Sequence, residues 1–78
     1  MSVRMDTLGS VYKYRDTQGL QHFIGEFYAD ETSDISGETT FGAIVADPNS
    51  TAYVVTSGKL YVMGGDGKWY DTNGNEVE

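Results

Sequence analysis

The sequence of 78 residues contains no cysteine and only one histidine, one proline and one tryptophan. Without cysteine the chain can form no disulfide and has no thiolate for catalysis or metal binding. The single histidine, His22, does not make a zinc site, because zinc normally takes several Cys or His ligands. We therefore expect neither a metal nor another cofactor.

Basic residues are also scarce. The chain has 5 Lys and Arg against 12 Asp and Glu, which gives a formal net charge of −7. Phosphate backbones attract basic surfaces, so this composition disfavours direct binding to nucleic acid. The acidic excess would suit a basic protein partner.

Long apolar runs are missing as well. The longest are "AIVA" at 43–46 and "YVV" at 53–55, far below the roughly 20 residues of a membrane span. The first ten residues, "MSVRMDTLGS", contain no apolar stretch typical of a secretory signal. We expect a protein that is made in a cytoplasm and does not contact a membrane.

A chain of this length forms one domain, residues 1–78, and buries only about 60% of the surface that its unfolded form exposes. Small domains are usually stabilised by disulfides, by a metal or by other subunits. Since the first two are not expected here, we expect a homo-oligomer, or a fold that is completed inside a larger assembly.

Ten glycines divide the chain into short segments that alternate apolar and polar residues. This pattern predicts an all-β domain, a small antiparallel meander or barrel-like sheet of about five to seven strands. Residues 1–10 are expected as a flexible arm, and residues 30–39 as an exposed acidic loop. The strand-like segments are "VYKYR" (11–15), "TFGAIVA" (40–46), "TAYVVT" (51–56), "KLYVM" (59–63) and "KWYD" (68–71).

The segment from Leu20 to Tyr28 fits two structures. Its large apolar residues recur at helical spacing, which is typical of an amphipathic helix. However, Gly25 lies in the middle and costs about 1 kcal/mol relative to alanine in a helix, and Phe, Ile and Tyr fit a pleated surface well. We favour a strand with Gly25 at a bulge or close contact, and keep the helix as the alternative.

No residue pattern indicates an enzyme. His22 has no nucleophile and acid at a catalytic spacing, so we interpret it as a structural histidine. Asp66 and Asp71 flank Trp69 and Tyr70 and superficially resemble a sugar-binding subsite. A short meander offers little concavity to bury a substrate, so we do not expect hydrolase activity.

The richest aromatic group is Trp69 with Tyr53, Tyr61 and Tyr70. We favour the core of the domain as their place, because so small a fold needs its large side chains inside. The alternative is an exposed aromatic platform that binds a protein neighbour or a glycan.

Three short segments carry a resemblance to a known class of protein. They are "NSTAY" at 49–53, "KLYV" at 59–62 and "GKWY" at 67–70, and the region that contains them spans about a third of the chain. This region resembles a motif of small head and tail proteins of tailed bacteriophages and prophages, found also near the ends of longer fibre proteins. Gly64 and Gly65 make a more flexible turn than that motif has.

The resemblance implies a non-enzymatic virion component, made in the host cytoplasm, that is oligomeric and docks on other capsid or tail proteins. We expect an accessory, decoration or head–tail protein, with a trimer as the first candidate for its self-association. Interfaces concentrate binding energy in aromatic side chains, so the expected anchors are Phe27, Tyr61, Trp69 and Tyr70.

A second hypothesis comes from the charge. A small acidic phage-encoded inhibitor could occupy a basic groove of a host protein and mimic nucleic acid. Its contacts would be the four acidic residues of the 30–39 loop, Asp30, Glu31, Asp34 and Glu38.

Overall fold

The computed structural model describes residues 3–77, which form seven β-strands, one 3-10 turn and the connections between them. The all-β class expected from the sequence is confirmed. The strands form a single mixed sheet that does not close into a barrel. They are β1 (Val3–Arg15), β2 (Gln21–Ala29), β3 (Thr40–Phe41), β4 (Ile44–Ala46), β5 (Thr51–Val54), β6 (Lys59–Met63) and β7 (Trp69–Asp71).

The second strand, β2, is the centre of the sheet and has three partners. Along one edge it pairs antiparallel with β1. Along its other edge β4 covers residues 21–23 and β5 covers residues 26–29, both parallel to β2. The sequence pattern predicts an antiparallel sheet, whereas the centre is parallel because residues 30–43 cross from the end of β2 back to its start.

The strand interpretation of the segment from Leu20 to Tyr28 is confirmed. Gly25 lies at the expected close contact, since a Cβ atom there would lie 2.5 Å from Cε2 of Phe27 and 3.2 Å from Sδ of Met5. A larger residue at this position would displace the Phe27 ring from the core. The glycine that argues against a helix is therefore needed for packing in the strand.

The Asp47–Ser50 connection lets two strands share one edge of β2. The Ser50 hydroxyl accepts a hydrogen bond from the Gly25 amide (3.0 Å) and donates one to the Phe23 carbonyl (3.2 Å). The Asp47 amide also donates to the Phe23 carbonyl, at 2.9 Å. Backbone groups of β2 that face the gap between β4 and β5 thus find partners, as buried polar groups require.

The carboxyl-terminal strands form the predicted meander. Both β5–β6 and β6–β7 pair antiparallel, with Ala52 opposite Tyr61 and Met63 opposite Trp69. The turn after β7 has a positive φ only at Gly74. It is held by the Asp71 carboxylate, which accepts the amides of Asn73 and Asn75.

The first strand, β1, includes most of the segment expected as an arm. Residues 3–6 pair in register with the end of β2, and residues 1 and 2 lie outside the described residues. The pairing then jumps from Asp6↔Glu26 to Val11↔Ile24, so residues 7–10 bulge opposite Gly25. The Asp6 carboxylate accepts the Leu8 amide, which fixes the bulge. The sequence suggests an arm here because the bulge interrupts the alternation of apolar and polar residues from which a strand is predicted.

The hydrophobic core lies on one face of the sheet, which we call the inner face. The 30–39 loop folds over it, and the buried Ile35 packs into the core. At the end of this loop the Glu38 carbonyl accepts a hydrogen bond from Nε1 of Trp69 at 2.8 Å. The buried hydrophobic residues are Phe27, Ala29, Ile35, Ala46, Ala52, Val54, Tyr61, Met63 and Trp69.

We predict that Ser50→Ala destabilises the protein by about 1–3 kcal/mol, because Ser50 is fully buried and its loss leaves the Gly25 amide without its partner. Urea unfolding followed by tryptophan fluorescence measures this change. The matched control is the exposed Ser33→Ala, which should lie within about 0.5 kcal/mol of wild type. Equal stability of the two variants would contradict the role assigned to Ser50.

Candidate interaction surface

Three of the four aromatic residues expected as interface anchors lie inside the protomer. Phe27 and Trp69 are each 2% exposed, and Tyr61 is 6% exposed. The Phe27 and Trp69 rings meet edge to face with centroids 6.4 Å apart. This burial favours the core interpretation, because these side chains present almost no surface to a partner or a glycan. We therefore base no interface on these three residues.

Other apolar side chains occupy the face of the sheet that points away from the core. We call this the outer face and define it by Tyr28, Tyr53, Leu60 and Val62, which are 37 to 43% exposed. Strand register places Tyr28 beside Tyr53 and Tyr53 beside Leu60, so three of them form a row across β2, β5 and β6. Large apolar side chains gathered on a solvent-facing sheet are typical of a protein contact.

A second row runs parallel to the first on the outer face. Register places Glu26 beside Thr51, Thr51 beside Val62, and Val62 beside Tyr70. Tyr70 is thus the one expected anchor that lies on this side of the sheet. Its hydroxyl donates to the Asp66 carboxylate at 2.5 Å, which holds the ring against the β6–β7 turn.

The outer face is not flat. Side chains around Tyr28, Tyr53 and Leu60 border a shallow cavity of about 330 Å³, with Glu26 and Thr51 at its polar side. The Tyr28 and Tyr53 rings approach edge to face at 6.3 Å. A partner side chain could enter this cavity and contact both rings.

The acidic residues of the 30–39 loop serve the fold as well as the surface. Asp30 pairs with Arg4 at 3.2 Å, and both side chains are about half exposed. The Asp34 carboxylate accepts the amide of Glu31 and begins the 3-10 turn. Glu38 is exposed, but its carbonyl holds Trp69. At least two of the four carboxylates, those of Asp30 and Asp34, therefore already have partners within the protomer.

His22 is held between two carboxylates, an arrangement that the sequence did not reveal. Its Nε2 atom lies 2.9 Å from Oδ2 of Asp16, and its Nδ1 atom lies 2.6 Å from Oδ1 of Asp47. The Tyr14 ring stacks on the imidazole, with centroids 4.3 Å apart. The histidine thus joins the β1–β2 turn, β2 and the connection between β4 and β5.

These contacts shift the titration of both partners in opposite directions. The hydrogen bond to Asp16, followed by that to Asp47, raises the pKa of His22 above its ordinary value of 6.5. The same bond lowers the pKa of Asp16 below 3.8. Both ring nitrogens of the imidazolium donate, so neither has a lone pair for a substrate proton or a metal. This geometry suits a structural clamp, as expected for His22.

The two carboxylates of the apparent sugar subsite, Asp66 and Asp71, each accept hydrogen bonds from neighbouring groups. The hydrogen bond from Tyr70 lowers the pKa of Asp66, and the hydrogen bond from the Asn75 amide lowers the pKa of Asp71. Glycoside hydrolysis normally needs one carboxyl group that stays protonated. Both of these groups are ionised near neutral pH, and both are used to hold turns.

Residues 3–77 offer neither a metal cluster nor a membrane-spanning helix. This part of the chain contains no cluster of three or more His, Cys, Asp or Glu side chains that could hold a metal ion. Within the same residues, no helix is long and apolar enough to cross a membrane.

We predict that the stabilising effect of His22 depends on pH. Because its pKa is raised on folding, its contribution is fully present below pH 6.5 and is lost as the pH rises through the folded-state pKa. The difference in unfolding free energy between wild type and His22→Gln, measured by urea unfolding from about pH 5 to pH 9, should therefore shrink with rising pH. The Asp47→Asn variant should retain part of this pH dependence of the unfolding free energy, because Asp16 still faces His22. A difference that stays constant with pH would contradict the clamp.

The chain matches no protein-family model, no curated protein and no solved structure in the comparisons that we made.

Proposed function

We propose that this chain is a non-enzymatic structural protein of a tailed-bacteriophage or prophage particle, an accessory, decoration or head–tail component. The observation that carries the structural part of the proposal, a protein that acts through contacts with other proteins, is the outer face, a row of large apolar side chains on the solvent side of a sheet whose other side already holds the core. The resemblance of the 47–71 region to phage head and tail proteins supports the same class. The place of action would be the virion.

The occupant that we assign to the outer face is a second copy of the chain. Two copies that pack outer face to outer face form two stacked sheet layers, the arrangement by which sheets commonly bury apolar faces. Within β2, β5, β6 and β7 the two rows contain one charged residue, Glu26. Across β1 the rows continue into Arg4 beside Tyr28 and Asp6 beside Glu26, so the charges lie at one border of the contact. Burial of apolar area would then drive the association.

The outer face is small, and a contact between two identical outer faces joins only two copies, so a larger assembly also needs contacts outside this face. A stable isolated complex usually takes about 20–30 residues from each side, whereas the outer face has four apolar residues. A single contact of this kind is weak by itself. On a particle, neighbouring subunits hold one another at high effective concentration, and many weak contacts add up to stable attachment. This behaviour fits a decoration or connector protein that is stable only in its assembly.

The acidic-inhibitor hypothesis receives less support from the loop that suggested it. Asp30 is paired with Arg4, and Asp34 holds the 3-10 turn. Reaching a basic groove with all four carboxylates would require these contacts to open. The salt response separates the two hypotheses, since a charge-driven complex weakens as ionic strength rises and an apolar contact does not.

We predict that Tyr53→Glu removes the protein from phage particles without unfolding it. Tyr53 is 38% exposed, and a carboxylate there would place like charges opposite each other across the contact. Particles released after induction of a strain that encodes the variant can be purified, and the protein quantified relative to the major capsid protein by mass spectrometry. The matched control is Thr72→Glu, which adds the same charge in an exposed turn.

The control should incorporate at the wild-type level, and circular dichroism should show both variants folded. Absence of the wild-type protein from purified particles would contradict the virion assignment. Presence of Tyr53→Glu in particles at the wild-type level would contradict the role of the outer face.

A further inference from the structure

A second surface of the molecule is the free edge of β1. In the part of the chain that the structure describes, β1 pairs with β2 along one edge and with no strand along the other. It is 13 residues long, about twice the usual length of a strand. A free edge presents unpaired N–H and C=O groups that can pair with another extended chain.

The bulge at residues 7–10 divides this edge into two parts with different surroundings. A second register shift, at Lys13, lies within the Val11–Arg15 part, so Tyr12 and Tyr14 pair with the successive residues Phe23 and His22 and lie on opposite faces. On one side of the bulge, Arg4 in the Val3–Asp6 part is paired with Asp30 of the acidic loop. On the other side, the Val11–Arg15 part carries Lys13 and Arg15, which form no ion pair with any residue in the 3–77 range. The Val11–Arg15 part therefore offers both free backbone groups and free positive charge.

The charge of β1 is opposite to that of the rest of the molecule. It holds three of the five basic residues and one acidic residue, Asp6, a formal charge of +2. Elsewhere two basic residues face eleven acidic ones, which gives −9. A basic strand edge on an acidic protein selects for an acidic partner segment, because like charges directly opposite on paired strands are destabilising.

Exposed apolar side chains accompany these charges. Val11, Tyr12 and Tyr14 are each at least half exposed, and Leu8 at the top of the bulge is 97% exposed. The Tyr12 ring packs edge to face on Phe23, and the Tyr14 ring stacks on His22. Since these rings are already held in place, contact with a partner would cost little side-chain entropy.

We propose that the Val11–Arg15 edge of β1 binds an extended, acidic segment of a partner protein, which adds to the sheet as a further strand. Lys13 and Arg15 attract its carboxylates, Tyr12 and Tyr14 contact its side chains on the two faces, and Leu8 projects beside it. This mode of recognition takes affinity from backbone hydrogen bonds and selectivity from alternate side chains. The edge is separate from the outer face, so the inference does not depend on the proposed function.

A second copy of the chain is a poorer occupant of this edge. Two β1 edges would bring two basic strands together. The acidic 30–39 segment of another copy is not free to extend, because Ile35 is buried in its own core and Asp34 holds its own turn. Self-association through β1 is therefore an outcome that would contradict the proposal.

The first test uses a defined probe, an eight-residue peptide of alternating Glu and Val with blocked ends and a fluorescent label. Fluorescence anisotropy measures its binding to the full chain, and nuclear magnetic resonance of the labelled protein locates the binding. We expect the amide signals of residues 11–15 to shift. The same peptide with every backbone nitrogen methylated, which removes all of its backbone hydrogen-bond donors, should not bind. A peptide of alternating Lys and Val should not bind either.

The second test uses two protein variants of equal charge. Lys13→Glu/Arg15→Glu and Lys59→Glu/Lys68→Glu each reverse two basic residues, the first pair on β1 and the second pair away from it. We expect the β1 variant to bind the Glu-Val peptide about tenfold more weakly, the sum of two cross-strand charge effects. The other variant should bind close to wild type.

Four results would overturn the proposal. Equal binding of the methylated peptide would show that no strand is added. Equal weakening by the two charge variants would show that β1 has no special role. If the signal shifts were confined to Tyr28, Tyr53 and Leu60, the peptide would bind the outer face. If the chain self-associated with rising concentration and only the β1 variant abolished this, the occupant of the edge would be a second copy.

Discussion

The fold depends on how the backbone of β2 is satisfied along the edge that it shares with β4 and β5. Neither of these strands is long enough to cover all nine residues of β2, and the Asp47–Ser50 connection lies between them. The Ser50 hydroxyl bonds to the backbone of Gly25 and Phe23 at this gap. His22 ties the same connection to β2 through Asp47. Without Ser50 the Gly25 amide at the centre of the sheet would lose its partner, and without His22 the connection would lose its side-chain link to β2.

The parts of this structure that local residues determine could be predicted from the sequence. The β5–β6–β7 meander follows from alternating residues and glycine turns a few positions apart, and it was found where the pattern placed it. The parallel pairing of β2 with β5 joins residues 25 positions apart, such as Glu26 and Thr51. No local pattern encodes such a pair. The bulge in β1 was missed for a related reason, because it breaks the alternation that identifies a strand.

Prediction of the functional residues from the sequence is limited in a different way. Alternation separates the two faces of a strand, but it does not say which face is buried. Tyr61 and Tyr53 look equivalent in sequence, yet Tyr61 lies in the core and Tyr53 on the outer face. This is why three residues expected at an interface, Phe27, Tyr61 and Trp69, are buried, whereas the exposed row consists of residues that were not among the expected anchors. The Asp16–His22–Asp47 clamp likewise depends on two carboxylates that are distant from each other along the chain and meet only in the folded sheet.

We propose that the outer face is an apolar contact between copies of this acidic chain. The most direct test is the solution mass of wild type and Tyr53→Glu by light scattering, from about 10 µM to about 1 mM and at low and high salt, a range that detects contacts as weak as a millimolar Kd. Salt screens the repulsion between chains of charge −7 and leaves apolar burial intact. We predict that the wild-type mass rises with concentration and is at least as high at high salt, whereas Tyr53→Glu stays a monomer. A wild-type chain that remains a monomer throughout, or an assembly that dissociates as salt rises, would contradict this account.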